Sequence, residues 1–192
     1  MDKLRLGPDD WMRAARRALL QGGPAAVRVE TLASKLKVTK GSFYWHFRDR
    51  AELLDAILRE WEDETEQFAR VDSQADVRAA VESLIAEIGR RIVASERGDA
   101  PSDAAIFAWS AVSPGVARRV ARVEEERLAL LERLVGSRQR AELAYLCYLG
   151  FIDRRRRVRG MSEHFGEVMN QMFTLLSREP GIVHANARRR TA

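Results

Sequence analysis

Between Leu32 and Leu54 the chain reads LASKLKVTKGSFYWHFRDRAELL, and the side chains in this stretch suit one kind of chemistry. Thr39, Lys40 and Ser42 supply hydroxyl and ammonium donors around Gly41, whose missing side chain lets backbone approach a surface closely. Lysine matches the guanine acceptors of the major groove, and serine can serve either base. Tyr44, Trp45 and His46 carry polar tips on rigid rings, suited to phosphate, sugar or a thymine methyl. Phe47 reads as core of the four-helix head, while Trp45 fits core or contact equally. Nothing comparable points to catalysis. The sequence has no glycine-rich phosphate loop and no GxSxG, and His46, His164 and His184 lack metal-ligand spacing. No catalytic residue, cofactor or metal is expected, and no enzyme.

Such residues need a bracing helix, a tight turn and a second short helix whose start enters the groove. The pattern provides them. A first helix is expected from Asp9 to Gln21, with acids at its start and Gly22-Gly23-Pro24 to stop it. A second runs from about Glu30 to Leu36, a turn follows at Lys37–Thr39, and a third spans Lys40 to Trp45. Leu32, Ala33, Leu36, Val38 and Phe43 form the seam between the last two, and Thr39 stands at the N-cap. Asp49 followed by Glu52 resembles a capping box for a long fourth helix reaching about Val71.

The string TKGSFYWHFRDRAELL resembles the signature of the tetracycline-repressor family, Ser/Thr-x-Gly-x-hydrophobic-Tyr-x-His-Phe-x-x-Lys-x-x-Leu, and about the first sixty residues match it in helix order. The resemblance implies that Lys40, Gly41, Ser42 and Tyr44 read or border bases, and that Tyr44 and His46 grip the backbone. Arg50 stands where the family usually has a phosphate-contacting Lys. Two positions depart from the family. Arg28, Val29 and Glu30 lie where it often begins the second helix with Thr, so Arg28 could replace a hydroxyl–phosphate bond with a charged one. Lys37 replaces the small residue common in the turn.

The rest of the chain is helical in pattern, with no alternating run long enough for a sheet. The expected fold is all-α, of about nine helices: a helix-turn-helix head (1–48), a connecting helix (49–71), an antiparallel helical effector-binding and dimerisation domain (72–178) and a basic tail (179–192). Up to Arg48 there are ten Lys and Arg against four Asp and Glu, in a chain of net charge +5, so the head is its basic end. One cysteine, Cys147, excludes an internal disulfide and fits a reducing cytoplasm; the first residues lack a signal-peptide core, and no apolar run would span a membrane.

Leu143 to Ile152 is apolar on every side and should be covered all round. With the last helix, near Ser162 to Ser177, it is expected to form a dimer interface through Leu146, Leu149, Phe165, Met169, Met172 and Phe173; an intramolecular core is the other reading. The resemblance further implies a small-molecule effector in the body, for which Trp109, Tyr145 and Tyr148, with Phe107 and Phe151, are the candidate lining. The run Arg154–Arg157 fits either a solvated helix end or an anchor for an acidic effector or for Glu124, Glu125 and Glu126 of a partner. The expected function is a ligand-released repressor, a homodimer on a palindromic duplex. The alternatives are an activator with the same head and a helical ligand-binding or scaffolding protein that does not read DNA.

Overall fold

In the computed structural model, which describes residues 6–69 and 76–177, the segment Pro8–Ala26 (α1) begins with Pro8 in the first turn and Asp10 accepting from Gly7 N–H. Its regular helix breaks where glycine permits: Gly22 and Gly23 leave helical geometry, and one further turn opens with Pro24. Val29–Leu36 (α2) ends at Lys37, whose left-handed backbone (φ 57°, ψ 40°) returns its N–H to Ala33 and Ser34. Lys40–Phe43 (α3) is two residues shorter than the spacing predicts, because Tyr44 to His46 form a turn that lets Phe47 stack on Phe43, ring centroids 5.6 Å apart.

Arg50–Ala69 (α4) starts at the expected cap. Asp49 accepts from Glu52 N–H at 2.8 Å, and Glu52 reaches back to Arg48 N–H at 2.6 Å, one residue before the usual partner. The remaining helices are Val77–Arg97 (α5), Asp103–Ser110 (α6), Pro114–Val135 (α7), Arg138–Arg155 (α8) and Phe165–Ser177 (α9), the last preceded by a 3-10 turn at Met161–His164. Among the described residues there are nine α-helices and no strand. The expected tail, including Arg188–Arg190, lies outside them, as does Val71.

Two apolar cores hold these elements. One contains Trp11, Leu32, Phe43, Ile57 and Trp61 of the first four helices together with Ile106 of α6 and Val123 of α7. The three short helices are too small to be stable alone, and α6 and α7 supply the missing apolar surface. The other core joins Leu84, Ile92, Leu130, Phe151, Phe165 and Met169 from α5, α7, α8 and α9. Ion pairs brace the first core across α4. Arg119 of α7 reaches Asp55 and Glu62, both at 2.5 Å, and Arg16 of α1 reaches Glu60 at 2.6 Å.

The helix expected to be covered all round is covered on one side. Ala141, Ala144, Tyr145, Phe151 and Ile152 of α8 are buried, while Leu143 and Leu146 are exposed. In the last helix the expected interface residues Phe165, Met169 and Phe173 face the chain's own core, because packing on α5 and α8 uses that stripe. Leu149 and Met172 are half-buried.

Candidate functional site

The first site is the end of the molecule formed by α2 and α3. Phe43 is fully buried, with Trp11 edge-on at 5.2 Å, so α3 cannot rotate about its axis without breaking the head core. The rest of the stretch therefore points outward. Thr39, Lys40, Gly41, Tyr44 and Trp45 are exposed, and Ser42 and His46 are half-exposed. Trp45 is 88% exposed and so is not core; Phe47 is. Thr39 holds the N-cap position through its carbonyl, which accepts from Ser42 N–H at 3.0 Å, while its hydroxyl makes no capping bond. That hydroxyl is left for an external partner. Gly41 has open space around it apart from Thr39 Oγ1, 3.8 Å from where a Cβ would stand.

Lys40 is not idle in this state. Its ammonium lies 2.5 Å from Glu30 Oε1, a hydrogen bond that raises the Lys40 pKa and lowers that of Glu30. Both groups are exposed, so the pair is screened and easily exchanged for another anion. Arg28 is exposed at the start of α2 beside this pair. Arg50, by contrast, has a structural post. Its Nε donates to the Val27 carbonyl at 2.6 Å and its Nη2 to that of Pro24, closing the end of α1 against the start of α4. Its five donors leave some capacity for a phosphate, but its first task is to hold the head together.

A second site lies in the body, a partly open cavity of about 100 Å³ lined by α5, α7, α8 and α9 with the start of α6. Of the candidate effector-lining residues, Tyr145 and Tyr148 line this cavity, stacked with ring centroids 6.0 Å apart. The other expected lining residues do not. Trp109 is buried in the head-side core, Phe107 packs at the edge of that core, and Phe151 is used edge-on against Phe165 at 5.1 Å. The residues that replace them are charged: Arg91, Asp103, Arg127 and Arg155.

Asp103 is the centre of this wall. It accepts from Arg127 Nη1 at 2.7 Å, from the Tyr148 hydroxyl and from Trp61 Nε1 of α4. Burial alone would raise its pKa, but the charge and hydrogen bonds of Arg127, with those of Tyr148 and Trp61, outweigh it and hold the carboxyl at about 2. Arg127 also sits over the Trp61 ring, 5.0 Å from its centroid, and reaches Thr65 Oγ1 at 3.2 Å. Burial, then the Asp103 charge, pushes the Tyr148 pKa well up, so its hydroxyl remains a neutral donor. Arg91 pairs with Glu64 of α4 and is lowered by burial to about 10. The cavity is thus wired to α4 at Trp61, Glu64 and Thr65.

Within the arginine run, Arg154, Arg156 and Arg157 are exposed and Arg155 turns inward, its side chain 7% exposed. Three of these arginines thus fit a solvated helix end, and Arg155 instead pairs with Glu96 of α5. Sequence patterning missed Asp103, Arg91 and Arg127 because each stands in a charged or helix-starting context that normally faces water. The usable signal was position: Arg127 follows Val120 and Val123 by seven and four residues, on the apolar stripe of α7.

A family model described as bacterial regulatory proteins, tetR family, matches residues 12–57. Over 89 residues the chain is 28% identical to the HTH-type transcriptional regulator TtgR of Pseudomonas putida, covering 45% of this chain and 42% of that protein. It is 32% identical over 106 residues to the tetracycline repressor protein class A from transposon 1721 of Escherichia coli, covering 50% and 49%. The chain thus spans less than half the length of these curated relatives. The fold extends further. A crystal structure of a transcriptional regulator from Rhodococcus sp. Rha1 superposes with a TM-score of 0.69 at 16% identity, covering 91% of this chain and 100% of that one. That of AmtR from Mycobacterium smegmatis does so with 0.67 at 15%, covering 92% and 88%. Residues 12–57 thus match the tetR family of bacterial regulatory proteins in sequence, and the whole helical chain shares its fold with these solved structures.

Proposed function

We propose that this chain is a cytoplasmic transcriptional repressor that binds a palindromic duplex as a homodimer and is released when a small molecule enters the body cavity. The observation that carries the reading is the outward row Thr39, Lys40, Gly41, Ser42, Tyr44 and Trp45, carried on α3 and the turn after it, which buried Phe43 holds in place. Two such heads, related by a twofold axis, would enter successive major grooves roughly 34–36 Å apart. The exposed stripe of Leu143, Leu146 and Gly150 on α8 supports the pairing, since an apolar helix face of this kind is covered in most stable assemblies. Release follows from the wiring of the wall: a molecule that displaces Asp103 or Arg127 pulls on Trp61 and Thr65, and α4 carries the pull to Arg50 and α1.

Fluorescence anisotropy tests the reading, with a labelled duplex from the DNA flanking the chain's own coding region and a scrambled duplex of equal length. The native sequence should bind more tightly, and Lys40→Ala should cost about 1–3 kcal/mol on it while changing the scrambled duplex less. Equal affinity for both duplexes, or equal losses on both, would show that Lys40 and its neighbours do not read bases.

A further inference from the structure

The wall of the body cavity is mostly apolar, with Leu84, Ile88, Leu130, Leu131 and Met172, and its polar groups are mostly engaged with one another or with side chains behind the wall. Asp103 is taken by Arg127, Tyr148 and Trp61; Arg127 uses all three of its nitrogens on Asp103 and Thr65; Arg91 pairs with Glu64; Tyr145 donates to Glu124 at 3.2 Å. Arg155 differs. Its Nη1 reaches the half-exposed Glu96 at 3.2 Å, and its Nη2 has only the hydroxyls of Ser95 and Ser102 at 3.5 and 3.4 Å. Its Nε is buried with no hydrogen-bond partner. An unpaired N–H on a buried cation is costly, and a group that satisfies it gains that cost back as affinity.

Resting on the reading of this cavity as the effector site, we propose that it takes a small apolar monocarboxylate, an aryl or short alkyl acid, whose carboxylate docks side-on to the Nε–Nη2 edge of Arg155. The two donors on that edge lie side by side in the guanidinium plane and match the two oxygens of a carboxylate. One has no partner but is covered in this state, and the other is held by two long bonds to Ser95 and Ser102, so docking exchanges those hydroxyls and uncovers the edge. A cation is excluded because the lining carboxylate, Asp103, already has a full set of donors. A phosphate dianion would leave oxygens unpaired against leucine and isoleucine. Size limits the body: a volume of about 100 Å³ is smaller than the apolar cavity of about 150 Å³ that holds benzene, so a short chain fits and a single ring enters only as the flexible Met169 and Met172 side chains give way.

The test is isothermal calorimetry on the full chain with benzoate, phenylacetate and hexanoate, each beside its own amide. At least one acid should bind about tenfold or more tightly than its amide. Arg155→Gln should bring that ratio to about one while leaving the amide within about twofold. Arg155→Lys, which keeps the charge without the paired edge, should fall between. The proposal is overturned if no acid binds the wild-type chain, if amides bind as well as acids, or if Arg155→Gln keeps the preference. Should Arg155→Gln not fold, as judged by circular dichroism, the wild-type ratio and Arg155→Lys still decide. The same preparations are titrated with the flanking duplex. Duplex binding without acid binding overturns the carboxylate assignment alone; absence of both overturns the repressor reading as well.

Discussion

Lys37 holds a left-handed backbone that side chains with a Cβ adopt at a cost, and it does so because α2 must stop there for α3 to turn across it. Lys37→Gly should relieve the strain and raise stability by up to about 1 kcal/mol, read as a higher midpoint in urea unfolding. Glu30 works at the same scale in the opposite sense. Its carboxylate occupies Lys40 in the free protein and would also face the phosphates of a bound duplex. Glu30→Gln should therefore tighten duplex binding and steepen its salt dependence, while leaving thermal stability nearly unchanged because the pair is exposed. Weaker binding in an anisotropy titration would mean that Glu30 positions Lys40 for the groove instead of occupying it.

At the scale of elements, the Asp103–Arg127 pair is where α6, α7, α8 and α4 meet. Asp103→Asn leaves Arg127 buried without its counter-charge and should cost about 3–5 kcal/mol in chemical denaturation. The sign of the pH dependence follows from the depressed pKa. The contribution of ionised Asp103 is fully present above its ordinary value of 3.8 and is lost as pH falls through about 2, so the wild type should lose its advantage over Asp103→Asn across that window. The joint after α5 is a second meeting point. Gly98 has φ +77°, and a Cβ there would stand 2.9 Å from the Arg13 carbonyl of α1 and 2.6 Å from Arg17 Cγ. The same joint is fastened by Arg16 Nε to the Gly98 carbonyl at 2.7 Å and by Arg13 to Asp99. Gly98→Ala should lower the melting temperature by several degrees, corresponding to about 2 kcal/mol.

Over the whole molecule, charge and apolar surface are distributed to opposite purposes. The basic head, with its exposed rings, suits an anionic duplex, and α8 offers an apolar stripe far along the chain from it. Leu146 is 62% exposed in the single chain. On the proposed homodimer, Leu146→Glu should leave folding intact, shift sedimentation toward the monomer and weaken binding to the proposed palindromic duplex. A variant that stays dimeric would place the twofold axis elsewhere.

Local rules were enough for the head and for most helix ends. Phe43 and Leu32 at their spacing, Asp49 and Glu52 at theirs, and prolines and glycines at segment edges determine short helices, caps and turns, because those features depend on neighbours within a few residues. The outward placement of Thr39, Lys40, Gly41 and Tyr44 was legible for the same reason, whereas that of Trp45 was not, since its spacing fitted core equally well. Tertiary structure alone decided which apolar faces of α8 and α9 were spent inside the chain, that Arg50 clamps α1, and that Asp103, Arg91, Arg127 and Arg155 turn inward. A charged side chain is buried only where partners from other helices meet it, and those partners lie as far off in sequence as Trp61 is from Asp103. Helix periodicity, which compares a residue with its own turn, carries no trace of such a meeting.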